Sequence, residues 1–275
     1  MKKIGLIGFG TIGQHIYEDI KNDAEIAFIF DVKEPDLNEV KKLWIFSTEE
    51  MEKKCKQGVD LVVEAAISKS VIALAPIILK YTDMMAFSTT AFAEEGFKEM
   101  VDALCDEYHH TFYIPHGAIL GLDGVFDGRK VLQKVTITTT KKPKNLGRED
   151  KERTVLYEGP TRGACKAYPR NVNVHAGLAL AGLGFERTVS KIVSDPDVAG
   201  NTHKIEIEAD GCRFAIDVLS TPGSGVTGAY TPVSAASSVR RILFKKGIVI
   251  ASLYNKEYSE EVGVIERKGS DDCGR

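Results

Sequence analysis

Three glycines near the N-terminus are spaced for phosphate chemistry, in the string Gly8-Phe9-Gly10-Thr11-Ile12-Gly13. Gly8 permits a tight turn, Gly10 lets the backbone approach a pyrophosphate, and Gly13 lets a following helix pack closely on the preceding strand. Free N–H groups at the start of that helix then face the phosphate, and the helix dipole favours an anion. An acid completes the pattern: Asp31 ends the apolar run Ile26-Ala27-Phe28-Ile29-Phe30, 21 residues after Gly10. A carboxylate there accepts hydrogen bonds from the adenosine ribose hydroxyls and repels a 2′-phosphate. These residues predict a dinucleotide site contacting Gly8, Phe9, Gly10, Thr11, Ile12, Gly13 and Asp31, with NAD preferred. Lys33 leaves NADP open, since it can swing toward a 2′-phosphate, although a solvated loop lysine is its simpler reading.

Such residues need strand, turn, helix and strand to hold them, and the flanking sequence supplies each. Ile4-Gly5-Leu6-Ile7 reads as the first strand, a helical pattern runs to about Lys21, and the run ending at Phe30 is the second strand. Residues 59–66 read as a buried parallel strand ending in Ala65 and Ala66, small enough for a cofactor to lie across Ala66. A helix over 70–81 contains Pro76, which predicts a kink or a break. Residues 84–90 read as a strand, 93–108 as a helix and 111–115 as another strand. The alternation predicts a doubly wound Rossmann domain over residues 1–116.

The rhythm then changes. Residues 130–142 alternate threonine with β-branched residues, as an antiparallel strand does with one wet face. Residues 189–193, 203–209 and 213–219 add three strands, the last two joined by a hairpin at Asp210-Gly211. An alanine-rich helix over 171–184 lies between them. These elements predict a second α/β domain over 117–228 with a mainly antiparallel sheet, for substrate, catalysis and dimerisation, closed by Pro222-Gly223-Ser224-Gly225. Residues 229–275 are expected to return to the first domain through a helix at 234–243 and to end in a polar, frayed tail over 257–275.

Composition removes whole classes of function. A formal net charge of −3 and a pI near 6.1 give no electrostatic case for nucleic acid or an anionic membrane surface. The apolar run 71–79 is too short to span a bilayer and the first residues enter a strand with no signal-peptide pattern, which predicts a cytoplasmic protein. Cys55, Cys105, Cys165, Cys212 and Cys273 form no CxxC pair, so neither a disulfide framework nor a metal site follows, and all five read as unreactive thiols.

Three later strings carry a resemblance: Pro115-His116-Gly117-Ala118-Ile119-Leu120-Gly121-Leu122-Asp123, Tyr168-Pro169-Arg170-Asn171-Val172-Asn173-Val174, and Ser194-Asp195-Pro196-Asp197 followed by Asn201-Thr202-His203-Lys204-Ile205-Glu206. Less specific are Thr138-Thr139-Thr140-Lys141-Lys142-Pro143 and Ala181-Gly182-Leu183-Gly184-Phe185-Glu186-Arg187. With the glycine turn, the chain resembles the L-aspartate dehydrogenase family in register from Ile4 to about Ser252. The resemblance implies a homodimeric enzyme that oxidises L-aspartate with NAD(P) to iminosuccinate, which hydrolyses to oxaloacetate and ammonia or feeds NAD biosynthesis. Carried over by position, His203 matches the catalytic histidine of the family, and Ala118 and Asn173 match its cofactor contacts. His116 departs from it, standing where similar sequences usually have serine.

The residues make chemical sense beside the family. Hydride leaves the α-carbon of an amino acid only when nitrogen can donate its lone pair, so the ammonium must first lose a proton. Histidine, with an ordinary pKa of about 6.5, suits that task and the later activation of water on the imine. His203 opens a predicted strand just after the loop 195–202, a place for a cleft. Asn171 reads as a helix cap or a substrate contact. Paired donors for a dicarboxylic amino acid come from Arg170, His116, Asn171, Lys141 and Lys142, together with backbone N–H groups at Gly117-Ala118. Lys141 and Lys142 read more simply as a solvated strand end, and Arg170 as a surface arginine.

Rival readings fit less of the chain. His109-His110 resembles the histidine pair of dihydrodipicolinate reductases, but the accompanying lysine and Asp-Ala-Pro-Ser-Gly-Thr string are absent, so the pair reads as a polar helix end. No Glu-Lys-Pro or Ser-Asn-Cys-Thr string is present either. A dehydrogenase or imine reductase for another small amino acid, or a non-catalytic NAD-binding sensor, remains the alternative.

Overall fold

The computed structural model describes residues 1–34, 38–220 and 228–244. The expected closing segment 222–225, the polar tail 257–275 and Cys273 lie outside the described residues.

The first half alternates strand and helix: β1 (Lys2–Ile7), α1 (Thr11–Ile20), β2 (Ala24–Phe30), α2 (Asn38–Lys41), β3 (Trp44–Ile45), α3 (Thr48–Lys56), β4 (Leu61–Glu64), α4 (Ser68–Ile78), β5 (Asp83–Ala86), α5 (Phe97–Tyr108) and β6 (Phe112–Tyr113). Its six strands lie in the order β3-β2-β1-β4-β5-β6, every pair parallel. Strand order reverses between β1 and β4, and ligands of open α/β sheets bind outside the strand ends at such a switch point. Helices on both faces explain why β4 is buried along its whole length and apolar up to Glu64.

Among the departures from the sequence expectation, three have a local reason. Helix α4 runs unbroken through Pro76, because the proline falls in its last turn and Leu74, Ala75 and Ile78 are packed in the core. Strand β5 stops at Ala86, and Thr89–Ala93 forms a short 3-10 turn. Helix α5 begins only at Phe97, since Gly96 before it takes φ +77, a left-handed conformation outside a helix.

The second half contains α6 (Leu122–Asp127), β7 (Leu132–Lys141), β8 (Thr154–Pro160), α7 (Thr161–Ala167), α8 (Asn173–Ala181), α9 (Gly184–Arg187), β9 (Thr188–Ser194), β10 (Asn201–Ala209) and β11 (Cys212–Ser220). Its sheet has the order β11-β10-β7-β9-β8, with β7 and β9 parallel and the other three pairs antiparallel. The hairpin at Asp210-Gly211 forms as expected, with Gly211 at φ +76. Edge strand β8 was not legible: it is half exposed, irregular between Val155 and Tyr157, and ends in glycine and proline.

One face of this sheet changes character along its strands. On β7, Val135 and Ile137 enter an apolar core with Ile205 and Ile207 of β10, whereas Thr139 and Lys141 continue the same face as buried polar groups beside His203. Finally, α10 (Tyr230–Leu243) brings the chain back to the first sheet. Its Ala235, Ala236 and Val239 pack in one cluster with Ile16 and Ile20 of α1, and Arg240 pairs with Asp19 and Asp23.

Candidate active site

A cleft of about 330 Å³ lies between the two sheets. The start of α1 contributes Thr11 and Ile12, the end of β4 contributes Ala65 and Ala66, and the second half contributes His116, Ala118, Lys141, Arg170, Asn171, Asn173 and His203.

The glycine turn fits a dinucleotide on its own geometry. Gly8 has φ +88, and a Cβ there would lie 2.8 Å from the backbone of Ala65. A Cβ on Gly13 would lie 2.1 Å from the Gly8 carbonyl, so both glycines are required to bring α1 onto the strands. A Cβ on Gly10 would meet nothing within 4 Å, which leaves that side open to an approaching group. No side chain caps α1, so its first N–H groups retain the anion-binding character of a helix start. Asp31 sits beside the turn, its Oδ2 accepting the Phe9 N–H at 2.6 Å and its Oδ1 the Lys33 N–H at 3.3 Å. Phe9 itself turns its ring into the core against Tyr17, with ring centroids 5.7 Å apart.

Glu64 is a site element the sequence reading missed. Its carboxylate is fully buried and accepts from Ala66 N–H at 2.7 Å, Ser88 N–H at 3.1 Å and Ser88 Oγ–H at 2.7 Å. Two cleft-lining segments are thereby fastened to one acid. Burial pushes its pKa up to about 7, against the pull of those donors. The signal for it was a lone acid closing an apolar parallel strand.

Asn173 and Asn171 are separated in role by the structure. Asn173 is the first residue of α8, and its Oδ1 accepts from Thr90 Oγ1 at 3.1 Å and Thr90 N–H at 3.3 Å. Its amide nitrogen has no partner among the described residues. Val172, not Asn171, occupies the cap position, and no side chain caps α8. The Oδ1 of Asn171 instead accepts from Lys141 Nζ at 2.9 Å, which overturns the capping expectation.

Lys141 also departs from its expected solvated setting. It is 5% exposed, and burial lowers its pKa to about 8. Lys142, whose side chain alternates to the other face, is exposed as expected. Arg170 is exposed at the rim of the cleft. His116 donates Nδ1–H to the Ile119 carbonyl at 2.8 Å, closing the turn that carries Gly117 and Ala118, while Ser234 of α10 donates to the Gly117 carbonyl at 2.7 Å.

His203 is the third residue of β10, an interior strand, and is only 6% exposed. Its Nδ1 lies 2.8 Å from Thr139 Oγ1, leaving Nε2 without a partner among the described residues. Burial first, and the Lys141 charge second, lower its pKa to about 4, so the expectation of a base near neutrality does not hold for the protein alone. Behind it, His175 of α8 is fully buried, a second residue the sequence reading missed; one polar ring among alanines and leucines was its signal. Three cysteines are held as thiols: burial pushes Cys165 and Cys55 up to about 12 and Cys105 up to about 11. His110 lies 3.5 Å from Asp83 at the end of α5, far from any role in the cleft lining. Among the described residues no helix is long and apolar enough to cross a membrane.

Comparison with known proteins bears on this arrangement. Residues 125–242 match the family described as aspartate dehydrogenase, C-terminal. L-aspartate dehydrogenase of Methanosarcina acetivorans is 33% identical over 269 residues, covering 88% of this chain and 97% of that protein. Its counterpart in Archaeoglobus fulgidus is 34% identical over 251 residues, covering 90% of this chain and 99% of the relative. The crystal structure of aspartate dehydrogenase from Thermotoga maritima has a TM-score of 0.74 at 27% identity, covering 90% of this chain and 99% of that one. Identity at this level over nearly the full length of both partners, with the same two-sheet fold, means that the chain belongs to the L-aspartate dehydrogenase family.

Proposed function

We propose that the chain oxidises L-aspartate with a nicotinamide cofactor, releasing iminosuccinate that is hydrolysed to oxaloacetate and ammonia. The observation that carries this reading is the pair His203 and Lys141. A proton-accepting ring nitrogen and a buried ammonium line the same cleft as Thr11 and Ile12 of the glycine turn. Among the described residues Lys141 has no carboxylate within ion-pair distance, and a buried charge without a counter-ion is costly. A ligand carboxylate supplies what is missing.

Bound nicotinamide supplies the hydride acceptor. The chain does the rest by placement. Lys141 binds one substrate carboxylate, with Asn171 holding the ammonium in position; Arg170 and His116 are placed for the other. Nε2 of His203 takes the proton from the substrate ammonium, which frees the lone pair that expels hydride from the α-carbon. A neutral histidine is the competent form, and its low pKa in the free protein keeps it neutral. Neutralisation of Lys141 by the arriving carboxylate removes one of the two causes of that low value, so basicity rises when substrate is present. Once that proton has passed to solvent and the ring is neutral again, the same nitrogen takes a proton from the water that attacks the imine.

For the cofactor, the reading assigns the pyrophosphate to the N–H groups of the Gly8–Gly13 turn, the adenosine ribose to Asp31, and the nicotinamide end to Ala66, Ala118 and Asn173. NAD is preferred over NADP because Asp31 is an acid. Assembly as a homodimer belongs to the same proposal and is read by sedimentation.

The test is reduced-nicotinamide absorbance with NAD or NADP and L-aspartate, with D-aspartate, L-glutamate and L-alanine as controls. Turnover confined to L-aspartate is expected. Cofactor binding without turnover on any of the four would overturn the enzymatic reading.

A further inference from the structure

Behind His203 an unbroken line of buried hydrogen bonds runs across one face of the second sheet, from β10 over β7 to β9. His203 Nδ1 meets Thr139 Oγ1 at 2.8 Å, and the same hydroxyl meets His175 Nε2 at 2.6 Å. His175 Nδ1 meets Ser190 Oγ at 2.8 Å, and Ser190 Oγ meets Thr161 Oγ1 at 2.8 Å. Thr161 Oγ1 finally donates to the Thr188 carbonyl at 2.9 Å. Thr139, Thr161, His175 and Ser190 are all essentially buried, and no carboxylate takes part. With neutral rings, the stretch from His203 to Thr161 can be ordered in only two ways, with all protons pointing one way or all pointing the other.

The end of the line selects between them. A carbonyl can only accept, so the single proton of Thr161 must point at Thr188; the reversed line would leave two oxygens 2.9 Å apart with no proton between them. Thr161 therefore accepts from Ser190, and Ser190, its proton committed, accepts from Nδ1–H of His175. Complete burial and the lack of a counter-ion keep His175 neutral, its pKa well below the ordinary 6.5. Its Nε2 is then the acceptor, Thr139 donates to it, and Thr139 accepts from His203. We infer that Thr139, His175, Ser190 and Thr161 are positioning residues that, from the Thr188 carbonyl, hold His203 in the Nδ1–H tautomer and keep the Nε2 lone pair turned to the cleft. This inference rests on the assignment of His203 as the base. It makes catalysis depend on Thr161, four side chains away from the ring that it governs.

The test uses the full chain labelled with ¹⁵N-histidine. Long-range ¹H–¹⁵N correlation at neutral pH assigns the protonated nitrogen of each ring, with His203 and His175 identified from single-site variants. Both rings are expected to carry the proton on Nδ1. Thr161→Val, close in shape but unable to donate or accept, is expected to populate the Nε2–H tautomer of His203. It should lower kcat about tenfold or more with KM within about twofold, while Thr161→Ser restores both tautomer and turnover. Nε2–H in the unsubstituted chain, or full turnover in Thr161→Val with an unmoved His203 tautomer, overturns the inference. The two readings separate cleanly. If His203→Ala retains turnover while the wild-type rings show Nδ1–H, the base assignment fails and the line stands. If His203→Ala is inactive and the rings show Nε2–H, the base stands and the line fails.

Discussion

Lys141 and Asn171 are joined by a hydrogen bond of 2.9 Å from ammonium to amide oxygen, and this neutral partner is what the buried lysine has in place of a counter-ion. Burial has already lowered the lysine pKa to about 8, so its charge is lost within reach of ordinary assay conditions. In the free enzyme kcat/KM for L-aspartate should therefore fall as pH rises through about 8, through KM rather than kcat. Lys141→Met should raise KM by about 10- to 100-fold, the worth of one charge-assisted hydrogen bond. Initial rates across pH 7 to 9.5 check both, and a flat KM would remove Lys141 from carboxylate binding.

His203→Ala should abolish most turnover, with a loss of about 100-fold or more, the contribution of a positioned general base. The glycine turn and Asp31 are untouched by this change, so the affinity for NAD measured by fluorescence titration should stay within about twofold. Wild-type turnover in this variant would reject the assignment.

Acid sensitivity follows from the same ring. A folded-state pKa of about 4 against an ordinary 6.5 means that the unfolded chain binds a proton in this window and the folded one does not. The contribution is fully present above pH 6.5 and is lost as pH falls toward 4, a change of about 3 kcal/mol. His175, also lowered, acts in the same direction. Glu64, raised to about 7, acts in the opposite one between pH 4.5 and 7. The quantity to read is thus the difference between wild type and His203→Gln in urea titrations at pH 7 and pH 4.5. The stability advantage of wild type should shrink on going to the lower pH, and an equal advantage at both would contradict the buried neutral ring.

Glu64→Gln preserves shape but turns an amide N–H group toward the donors of Ala66 and Ser88. Leaving one of those donors unpaired should cost about 1–3 kcal/mol of stability. Because both segments line the cleft, NAD affinity should fall as well. Thermal unfolding together with NAD titration reads the pair, and loss of stability at unchanged affinity would confine Glu64 to the fold.

Asp31→Ser keeps an acceptor for the Phe9 N–H while removing the charge that opposes a 2′-phosphate. The preference for NAD over NADP, as a ratio of kcat/KM values, should narrow about tenfold, consistent with loss of one charged contact. An unchanged ratio would pass the selectivity to Lys33 or to another group.

The division between sequence and structure follows the range of the physics. Gly8, Gly10, Gly13 and Asp31 were legible because tight turns, close helix packing and a strand-ending acid are set by residues near in sequence, and the two-sheet α/β fold followed from local periodicity. His203 was found through a matched string and not from its spacing. Lys141 looked solvated, because in sequence it is the end of a threonine-rich strand next to Lys142; only the pairing of β7 with β10 and the closure of α8 over them bury one lysine and expose its neighbour. Asn171 looked like a cap for the same reason, its true partner being 30 residues away. Glu64 and His175 carried faint signals, one polar group each at the edge of an apolar run. What joins His175 to Thr139 and Ser190 is the packing of a helix on two strands, β7 and β9, and the proton order along that line depends on contacts that no local pattern encodes.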